Sequence, residues 1–441
     1  MTQSAKDAKA ITQAVLKAAT MKDVTVRVSS SRAGYLRFGN NQAQTSGETE
    51  RLEVAVTAAE GGRSATATAT RRDAKALAEL VARAEALARL APADPEHMPP
   101  LGPQVYRESP AHDSKTAALD ADARAEMVGK LLRPANKARL QAAGMVEHRD
   151  DSVALATRAG LFAFHAETDV SLSMTCRTGD GTGSGWASAL ANRVEGVDVE
   201  AVAARATEKA DLSRDPEAIA PGAYTVILEP AAVAELLGFL FGGMNQRAAD
   251  EGRSYFARPG GGNRIGESLF HKSITLYSDP ADRTHPSSPF GEDGLPLGPA
   301  TWIEGGVVKA LPCGRYWAQK QGVPTVPGPD SWFLAGGSAS LADLVRGVDQ
   351  GILVTRLWYN RLLEPRTLLA TGLTRDGTFR IERGKITRSL KNLRYNESPA
   401  TLLKNVLALG VPERVAVRGR VVVVPPMVVA GFNFASQSDA V

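Results

Sequence analysis

The first 95 residues contain two helical stripes of apolar side chains with alternating runs between them. Ile11, Val15 and Leu16 share one face of a helix predicted over residues 5–19. A second stripe follows Asp73, a residue type that favours the N-cap of a helix. Between the stripes, apolar and polar residues alternate in four runs, at residues 24–28, 36–38, 52–56 and 65–69, and each run predicts a strand. The segment therefore predicts a helix, a four-stranded meander and a second helix.

Proline separates this segment from the next one. The stretch 96–113 is rich in proline, which favours an extended linker. The central segment covers residues 114–220. Its pattern predicts helices at 114–132 and 199–210, with strands at 145–148, 152–157 and 161–177 between them. The glycines at 179–185 fit neither common phosphate-binding pattern, so a hairpin loop is favoured there over a phosphate site.

The last segment, residues 221–441, opens with a buried strand and a buried helix. The apolar run 224–228 predicts the strand, Pro230 ends it, and residues 231–244 predict an apolar helix. Further strands are predicted at 274–277, 300–303, 306–309, 351–357, 378–382 and 415–424, with one helix at 399–408. The predicted fold class is α+β: an N-terminal region of helices and antiparallel sheet, a central region that mixes helices with long strands, and a large antiparallel β-rich C-terminal domain.

Composition narrows the class of protein. The chain has 441 residues, a net charge of +4 and 43% hydrophobic side chains, enough to build sizeable cores. No run of Lys and Arg suits a phosphate backbone, so nucleic-acid binding is not expected. The N-terminus lacks an apolar signal core, and no run of about eighteen apolar residues occurs. We expect a cytoplasmic protein that does not enter membranes.

One predicted strand carries a close set of side chains that are able to do chemistry. His165, Glu167 and Asp169 alternate along the strand 161–177, so they project from the same face. A metal or acid–base site is one interpretation, and the solvated face of an antiparallel strand is the favoured one. The two cysteines, Cys176 and Cys313, form no C-x-x-C pair. Cys313 lies in a loop-like stretch, where a reactive thiol stays open as the lesser alternative.

The helix predicted over 231–244 lacks metal-binding side chains at residues 238–243. Many metallopeptidases hold a metal on a helix that follows a buried strand, and zinc takes imidazole, thiolate or carboxylate donors. Residues 238–243 are Gly-Phe-Leu-Phe-Gly-Gly and offer none of these donors. The sequence contains no HExxH, HExxxH or G-x-S-x-G pattern. A core helix is therefore predicted, and no catalytic residue or metal ligand is assigned in the chain.

Short motifs recur in a specific order along most of the chain. In the N-terminal half they lie at 36–40, 61–62, 94–96 and 181–186. In the C-terminal half they lie at 221–226, 254–256, 288–294, 303–306, 316–318, 371–377, 381–388 and 392–396. Each motif is weak alone. In this order they resemble the TldD/PmbA family, also called TldD/TldE peptidases or modulators of DNA gyrase.

The resemblance implies two kinds of subunit. TldD-like members carry HExxxH on the helix described above, and a downstream cysteine completes their zinc site. This chain is similar to the TldE/PmbA branch, because Gly238 and Gly243 stand where the two histidines would be and Phe239 stands at the catalytic glutamate. The resemblance thus implies a non-catalytic subunit that is inactive alone. Its TldD-like partner would supply zinc and catalysis in a heterodimer that processes unfolded peptides.

Contacts with the peptide are predicted from position alone. Residues that flank the helix are the candidates: Arg253, Ser254, Tyr255, Phe290, Glu292 and Asp293. The β-rich domain would suit capture of an extended peptide through backbone hydrogen bonds. The alternative function is a self-associating binding or regulatory protein, acting on a toxin or DNA gyrase system without peptidase activity. A homodimer stays open, and a peptidase that works through His165, Glu167 and Asp169 is the least favoured alternative.

Overall fold

The computed structural model describes residues 2–417 and 420–438, which contain ten α-helices and nineteen strands. The helices are α1 (Ala5–Ala18), α2 (Ala74–Leu90), α3 (Ser114–Ala117), α4 (Ala121–Lys137), α5 (Val199–Leu212), α6 (Pro230–Gly243), α7 (Gln246–Asp250), α8 (Arg315–Gln321), α9 (Leu341–Arg346) and α10 (Pro399–Lys404). The strands are β1 (Asp23–Gly39), β2 (Gln42–Glu60), β3 (Arg63–Ala69), β4 (Gln141–Thr157), β5 (Phe162–Arg177), β6 (Ser184–Ala191), β7 (Gly222–Leu228), β8 (Leu276–Ser278), β9 (Ala300–Glu304), β10 (Val307–Val308), β11 (Trp332–Leu334), β12 (Gln350–Glu364), β13 (Leu369–Glu382), β14 (Lys385–Ser389), β15 (Leu393–Glu397), β16 (Val406–Leu409), β17 (Glu413–Val417), β18 (Arg420–Val424) and β19 (Met427–Gln437).

The N-terminal and central segments share one antiparallel sheet. Its six strands lie in the order β3-β2-β1-β4-β5-β6, and the four inner strands are 16 to 19 residues long. The proline-rich stretch 96–113 forms neither helix nor strand. The predicted α+β class is confirmed, while the boundaries drawn at 95, 113 and 220 stay a prediction.

The four-stranded meander predicted for the first segment is wrong, because two of its strands are one. The runs at 24–28 and 36–38 both belong to β1, which pairs with β2 and β4 along nearly its whole length. The predicted strands 145–148 and 152–157 are likewise the single strand β4. In each case polar residues interrupt the apolar alternation without interrupting the ladder of strand pairs.

The packing of helices explains that interruption. α1 and α2 cover one end of a sheet face around Val24, Val26 and Val28, and α4 and α5 cover the other end around Leu36 and Phe38. The gap between the two helix pairs is filled by polar side chains. A strand that passes under both helix pairs therefore shows two apolar runs with a polar stretch between them.

Arg124 of α4 fills the centre of this gap and is 1% exposed. Its Nη1 lies 3.2 Å from Nδ1 of His148, and its Nη2 lies 3.1 Å from Oε1 of Glu48. A side chain at Gly34 would collide with both Arg124 and His148. The buried guanidinium thus requires a glycine in the middle of β1, where the sequence alone indicates a break.

Two further sheets form the C-terminal domain. One has the order β10-β9-β8-β11-β18-β17. In the other, β12, β7, β19, β15 and β13 pair in sequence, and β13 pairs again with β12, so these five strands close into a ring. Most pairings are antiparallel, but β7 with β12 and β11 with β18 run parallel. The largest hydrophobic core lies between these sheets and includes α6.

Several element boundaries differ from the prediction. The helix expected over 114–132 is divided, because Asp120 caps a new helix by accepting the Ala123 amide at 2.9 Å. The strand expected over 415–424 is the hairpin of β17 and β18, with 418 and 419 outside the described residues. The helix expected over 399–408 ends at Lys404, and β16 follows. Among the helices described, none combines the length and apolar character needed to cross a membrane.

Candidate functional site

Helix α6 follows β7 directly and lies in the core of the C-terminal domain. Pro230 occupies its first turn. Backbone N–H groups there have no acceptor within the helix, so the N–H that proline lacks costs no helical hydrogen bond. Leu236, Leu237 and Leu240 are at most 1% exposed, so the predicted core helix is confirmed. Phe239, which the resemblance places at a catalytic glutamate, is also buried in this core.

A cavity of about 320 Å³ opens beside Gly238 and Gly242 of α6. Phe241 and Trp332 stack on its wall with ring centroids 4.8 Å apart, and Arg420 adds a charged group to the lining. Neither residues 238–243 of α6 nor the lining of this cavity offers an imidazole, thiolate or carboxylate, so these residues do not fit a zinc ion. In the part of the chain that the structure describes, no group of three or more His, Cys, Asp or Glu side chains is arranged to hold a metal.

The helix-free face of the first sheet carries the cluster predicted on β5. His165, Glu167 and Asp169 project from this face, and Nε2 of His165 lies 3.2 Å from Oε2 of Glu167. A cleft of about 380 Å³ runs beside them, with Arg27 and Arg51 also in its lining. His165 is only 6% exposed, so the interpretation as a fully solvated strand face is wrong for this residue.

Carboxylates crowd the same face and perturb one another. Burial raises the pKa of Asp169 to about 7; Arg149 opposes this shift, while Asp151 and Glu167 add to it. Burial also raises the pKa of Asp151, with a further contribution from the charge of Glu167. Burial opposes ionisation of Glu167 as well, but the hydrogen bond and charge of His165 lower its pKa overall. Asp169 therefore titrates near neutrality, which suits contact with cationic or hydrogen-bonding groups.

Two side chains of the C-terminal domain reach this cluster. Burial raises the pKa of Asp330, and the charge of Glu167 adds to that shift. Burial beside Arg414 lowers the pKa of His285 to about 4, so this imidazole stays neutral near pH 7. Asp330 and His285 lie more than a hundred residues from β5 in the sequence. No local pattern in the sequence predicts their approach, because only the packing of the C-terminal domain against the sheet produces it.

The first three predicted peptide contacts lie on one loop after α7. Ser254 and Tyr255 line a groove of about 830 Å³ that also includes Lys404. The Tyr255 hydroxyl is buried and, among the described residues, has no hydrogen-bond partner. The Arg264 guanidinium lies 5.3 Å from the centroid of its ring. Arg253 forms an ion pair with a neighbouring carboxylate of the same loop.

The other three predicted contacts lie elsewhere. Phe290 is 4% exposed and packs in a small core with Leu155 of the first sheet and Tyr106 of the linker. Glu292 and Asp293 are exposed, and Asp293 accepts a hydrogen bond from the amide two residues further on. The six residues thus do not share one cavity. Phe290 joins the domains, and the role of the six as peptide contacts stays a prediction.

Cys313 is held in a form that does not favour reaction. Its side chain is 1% exposed and packs with Trp317. Burial raises the pKa of its thiol, and the negative charge of Asp250 adds to this shift. Because the thiolate is the reactive form, this environment gives the thiol no activation.

Comparison with known proteins identifies the family. A family model described as the PmbA/TldA metallopeptidase C-terminal domain matches residues 221–436, and one described as the central domain matches residues 109–214. The chain belongs to the TldD/PmbA family. The resemblance found in the sequence is therefore confirmed. No curated protein matches the chain.

Solved structures share the TldD/PmbA fold over nearly the whole chain. TldE from Thermococcus kodakarensis is 18% identical, with a TM-score of 0.87 over 98% of this chain and 100% of that one. A protein named as a modulator of a DNA gyrase from Thermotoga maritima is 17% identical, with a TM-score of 0.81 over 94% and 96%. Another so named, from Bacteroides thetaiotaomicron, is 19% identical, with a TM-score of 0.82 over 97% and 98%. At these identities the comparison establishes the fold.

Proposed function

We propose that this chain is the non-catalytic subunit of a TldD/TldE-type zinc metallopeptidase that processes unfolded peptides. The observation that carries the proposal is α6. In a family described as metallopeptidases, the helix that the resemblance assigns to zinc presents Gly238, Phe239 and Gly243. None of these side chains is able to bind zinc or move a proton.

The partner in this proposal is a TldD-like chain that carries HExxxH. The partner would hold zinc and activate water, and this chain would complete the space that receives the peptide. Two surfaces support a role in peptide contact. One is the polar cleft beside His165 and Glu167, and the other is the groove lined by Ser254 and Tyr255. The cytoplasmic location expected from the sequence stays a prediction.

The test is co-expression of this chain with the HExxxH-bearing homologue from the same genome. Native mass would give the stoichiometry, metal analysis would give zinc per complex, and an unstructured fluorogenic peptide would report hydrolysis. We expect a stable pair with one zinc, activity in the pair, and neither zinc nor activity in this chain alone.

Two matched variants, one in the partner and one in this chain, test which subunit carries the catalytic residues. Replacing the glutamate of the partner's HExxxH by glutamine should abolish hydrolysis. Glu167→Gln in this chain should leave kcat unchanged, because the proposal gives β5 no catalytic role. Any effect should be confined to KM, because Glu167 lines the cleft proposed to contact the peptide. Activity of the isolated chain that disappears in Glu167→Gln would overturn the proposal in favour of a site at His165 and Glu167. Failure to form a pair would overturn the assignment as a subunit.

A further inference from the structure

The cavity beside α6 is apolar inside and charged at its mouth. Its wall includes Val422 of β18 and the stacked rings of Phe241 and Trp332. Trp332 and Val422 are at most 4% exposed, whereas Gly242 and Arg420 are exposed. Among the described residues of the lining, Arg420 alone carries a charge. A ligand of this cavity is therefore expected to have an apolar part inside and a negative group at the mouth.

The hairpin of β17 and β18 holds Arg420 in this place. Arg420 and Val422 lie two residues apart on β18, so their side chains project from the same face of the strand. Val417 pairs with Arg420 across the hairpin, and all three residues line the cavity. The strand period thus sets one guanidinium beside two buried valines.

The Arg420 guanidinium is available to a carboxylate from outside the chain. None of the described carboxylates forms an ion pair with it. Burial raises the pKa of Asp330, and the charge of Arg420 opposes this shift only in part. The Asp330 carboxylate instead accepts the Ser288 amide at 3.2 Å. An arginine in this state offers a carboxylate two parallel N–H donors.

The space beside Gly242 is not required by the local packing. Gly242 lies within α6, and a Cβ at this residue would meet no atom within 4 Å. Glycine inside a helix is less favourable than alanine, and an unfilled space beside a core also lowers stability. The chain has both of these costs at Gly242, which favours a space that is kept open for a ligand.

We propose that the cavity binds the C-terminal residue of a peptide, with an apolar side chain inside and the terminal carboxylate against Arg420. The inference rests on the proposed function in taking the ligand to be a peptide. Small-molecule sites are commonly apolar cavities of this size, in which a few polar groups fix the orientation of the ligand. In a peptide, an apolar side chain and a carboxylate belong to the same residue only at the C-terminus.

Binding is tested with the full chain, purified without any partner subunit, by fluorescence anisotropy of short unstructured peptides labelled at the N-terminus. A peptide that ends in phenylalanine should bind about tenfold more tightly than its C-terminal amide, because the amide loses the charge-assisted hydrogen bonds to the guanidinium. The same peptide ending in serine should also bind about tenfold more weakly, because serine buries little apolar surface. Equal affinities for the acid and the amide would overturn the proposal.

A competitor separates a peptide end from a free carboxylate. 3-Phenylpropanoate has the apolar group and the carboxylate but no peptide backbone. It should displace the labelled peptide less well than the unlabelled peptide does, because the preceding residues add contacts at the mouth. Displacement by 3-phenylpropanoate at the same concentration would overturn the assignment to a peptide and make the site one for small carboxylates.

Two glycine substitutions test the place of binding. A helical side chain leans toward the N-terminus of its helix, so Gly242→Leu covers the space over Gly238. It should weaken binding more than about tenfold without lowering the melting temperature, since leucine favours a helix over glycine. Gly129→Leu is the matched control, because Gly129 is an exposed glycine of α4 that also has no atom within 4 Å of its Cβ position. A Gly242→Leu chain that binds like the Gly129→Leu chain would overturn the proposal.

Arg420→Gln tests the carboxylate contact by itself. This variant should lose the preference for the acid over the amide and keep the preference for phenylalanine over serine. A preference for the acid that survives in Arg420→Gln would overturn the role of this guanidinium. Because these measurements use this chain alone, their failure would leave the assignment as a subunit standing, and failure of the chain to pair would leave the binding measurable.

Discussion

Lys209 Nζ lies 2.7 Å from each carboxylate oxygen of Glu229. Lys209 belongs to α5, and Glu229 is the residue between β7 and α6. The two side chains are only 9% and 5% exposed, and the Thr355 hydroxyl donates to the same carboxylate at 3.1 Å. A buried ion pair thus fixes the central region to the start of the helix at the centre of the C-terminal domain.

Removing one partner of this ion pair should lower the free energy of unfolding. Lys209→Met leaves the Glu229 carboxylate buried without its counter-charge, and we expect a loss of about 3–5 kcal/mol in unfolding free energy. Urea denaturation at pH 7 measures it. The double variant Lys209→Met/Glu229→Gln should recover most of the loss, because no charge is then buried alone. A loss below about 1 kcal/mol in the single variant would mean that water reaches the carboxylate.

Local patterns in the sequence predict the parts of this fold that local forces determine. Asp73 caps α2 by accepting the Ala76 amide at 3.0 Å, as its residue type indicates. The apolar run before Pro230 is the buried strand β7, and α6 is a core helix. The alternation of His165 and Glu167 on one face of β5 follows directly from the two-residue period of a strand.

Contacts between distant residues are not predictable in this way. Nothing near Lys209 or Glu229 in sequence indicates that they meet, and both belong to residue types that are usually exposed. The sequence predicts Phe290 as a peptide contact only because it flanks the helix, and it does not indicate that this side chain is buried between the C-terminal domain and Leu155. The polar residues in the middle of β1 indicate a break between two strands. The strand in fact continues, and its polar centre faces the buried guanidinium of Arg124, which no local pattern in the sequence predicts.

Asp169 should make the protein less stable as pH rises from about 4 to about 7. Its folded-state pKa is about 7, raised from an ordinary value of 3.8 chiefly by burial. A carboxyl with a raised folded pKa favours the folded state when protonated, so its contribution is lost between about pH 4 and pH 7. Asp169→Asn removes this dependence. The melting temperature of the variant relative to wild type should therefore rise from pH 4.5 to pH 8.

A control substitution separates the effect of burying Asp169 from the effect of removing one negative charge. Glu292 is an exposed carboxylate in the C-terminal domain, so Glu292→Gln should shift the melting temperature little and equally at both pH values. If the Asp169→Asn difference were constant from pH 4.5 to pH 8, the carboxyl would be titrating in its ordinary range. The cluster on β5 would then be well solvated.

Glu85 should have the opposite pH dependence. It is 4% exposed, and its carboxylate accepts the Thr20 amide at 2.6 Å, the Met21 amide at 2.9 Å and the Thr20 hydroxyl at 2.5 Å. Burial opposes its ionisation, but these hydrogen bonds lower its pKa overall. A lowered folded pKa stabilises the protein above about pH 4.5 and loses this effect as pH falls through the folded value.

Glu85→Gln should therefore cost about 2–3 kcal/mol at pH 7, since charge-assisted hydrogen bonds are replaced by weaker ones or left unmade. The cost should shrink as pH falls below about 4.5, where the wild type loses the same contribution. Glu79→Gln on the same helix is the control. Glu79 is exposed and lies 4.0 Å from Lys75, so its replacement should change stability by less than about 0.5 kcal/mol. Equal costs at the two positions would contradict the assigned role of Glu85.

Substitution of Phe239 tests whether the core around α6 accepts a glutamate at the position that is catalytic in TldD-like members. The side chain is 7% exposed within the largest core, so Phe239→Glu removes its burial and places a carboxylate there without a partner. We expect a loss of about 4 kcal/mol or more in unfolding free energy, against about 1.5 kcal/mol or less for the apolar, only slightly smaller Phe239→Leu. Thermal and urea unfolding measure both, and metal analysis should find no zinc in either variant. A Phe239→Glu chain as stable as Phe239→Leu would mean that the glutamate reaches the cavity beside Gly238 and Gly242. Packing of the helix would then not exclude a glutamate at residue 239, and the proposed lack of catalysis would rest on the missing metal ligands rather than on the core around α6.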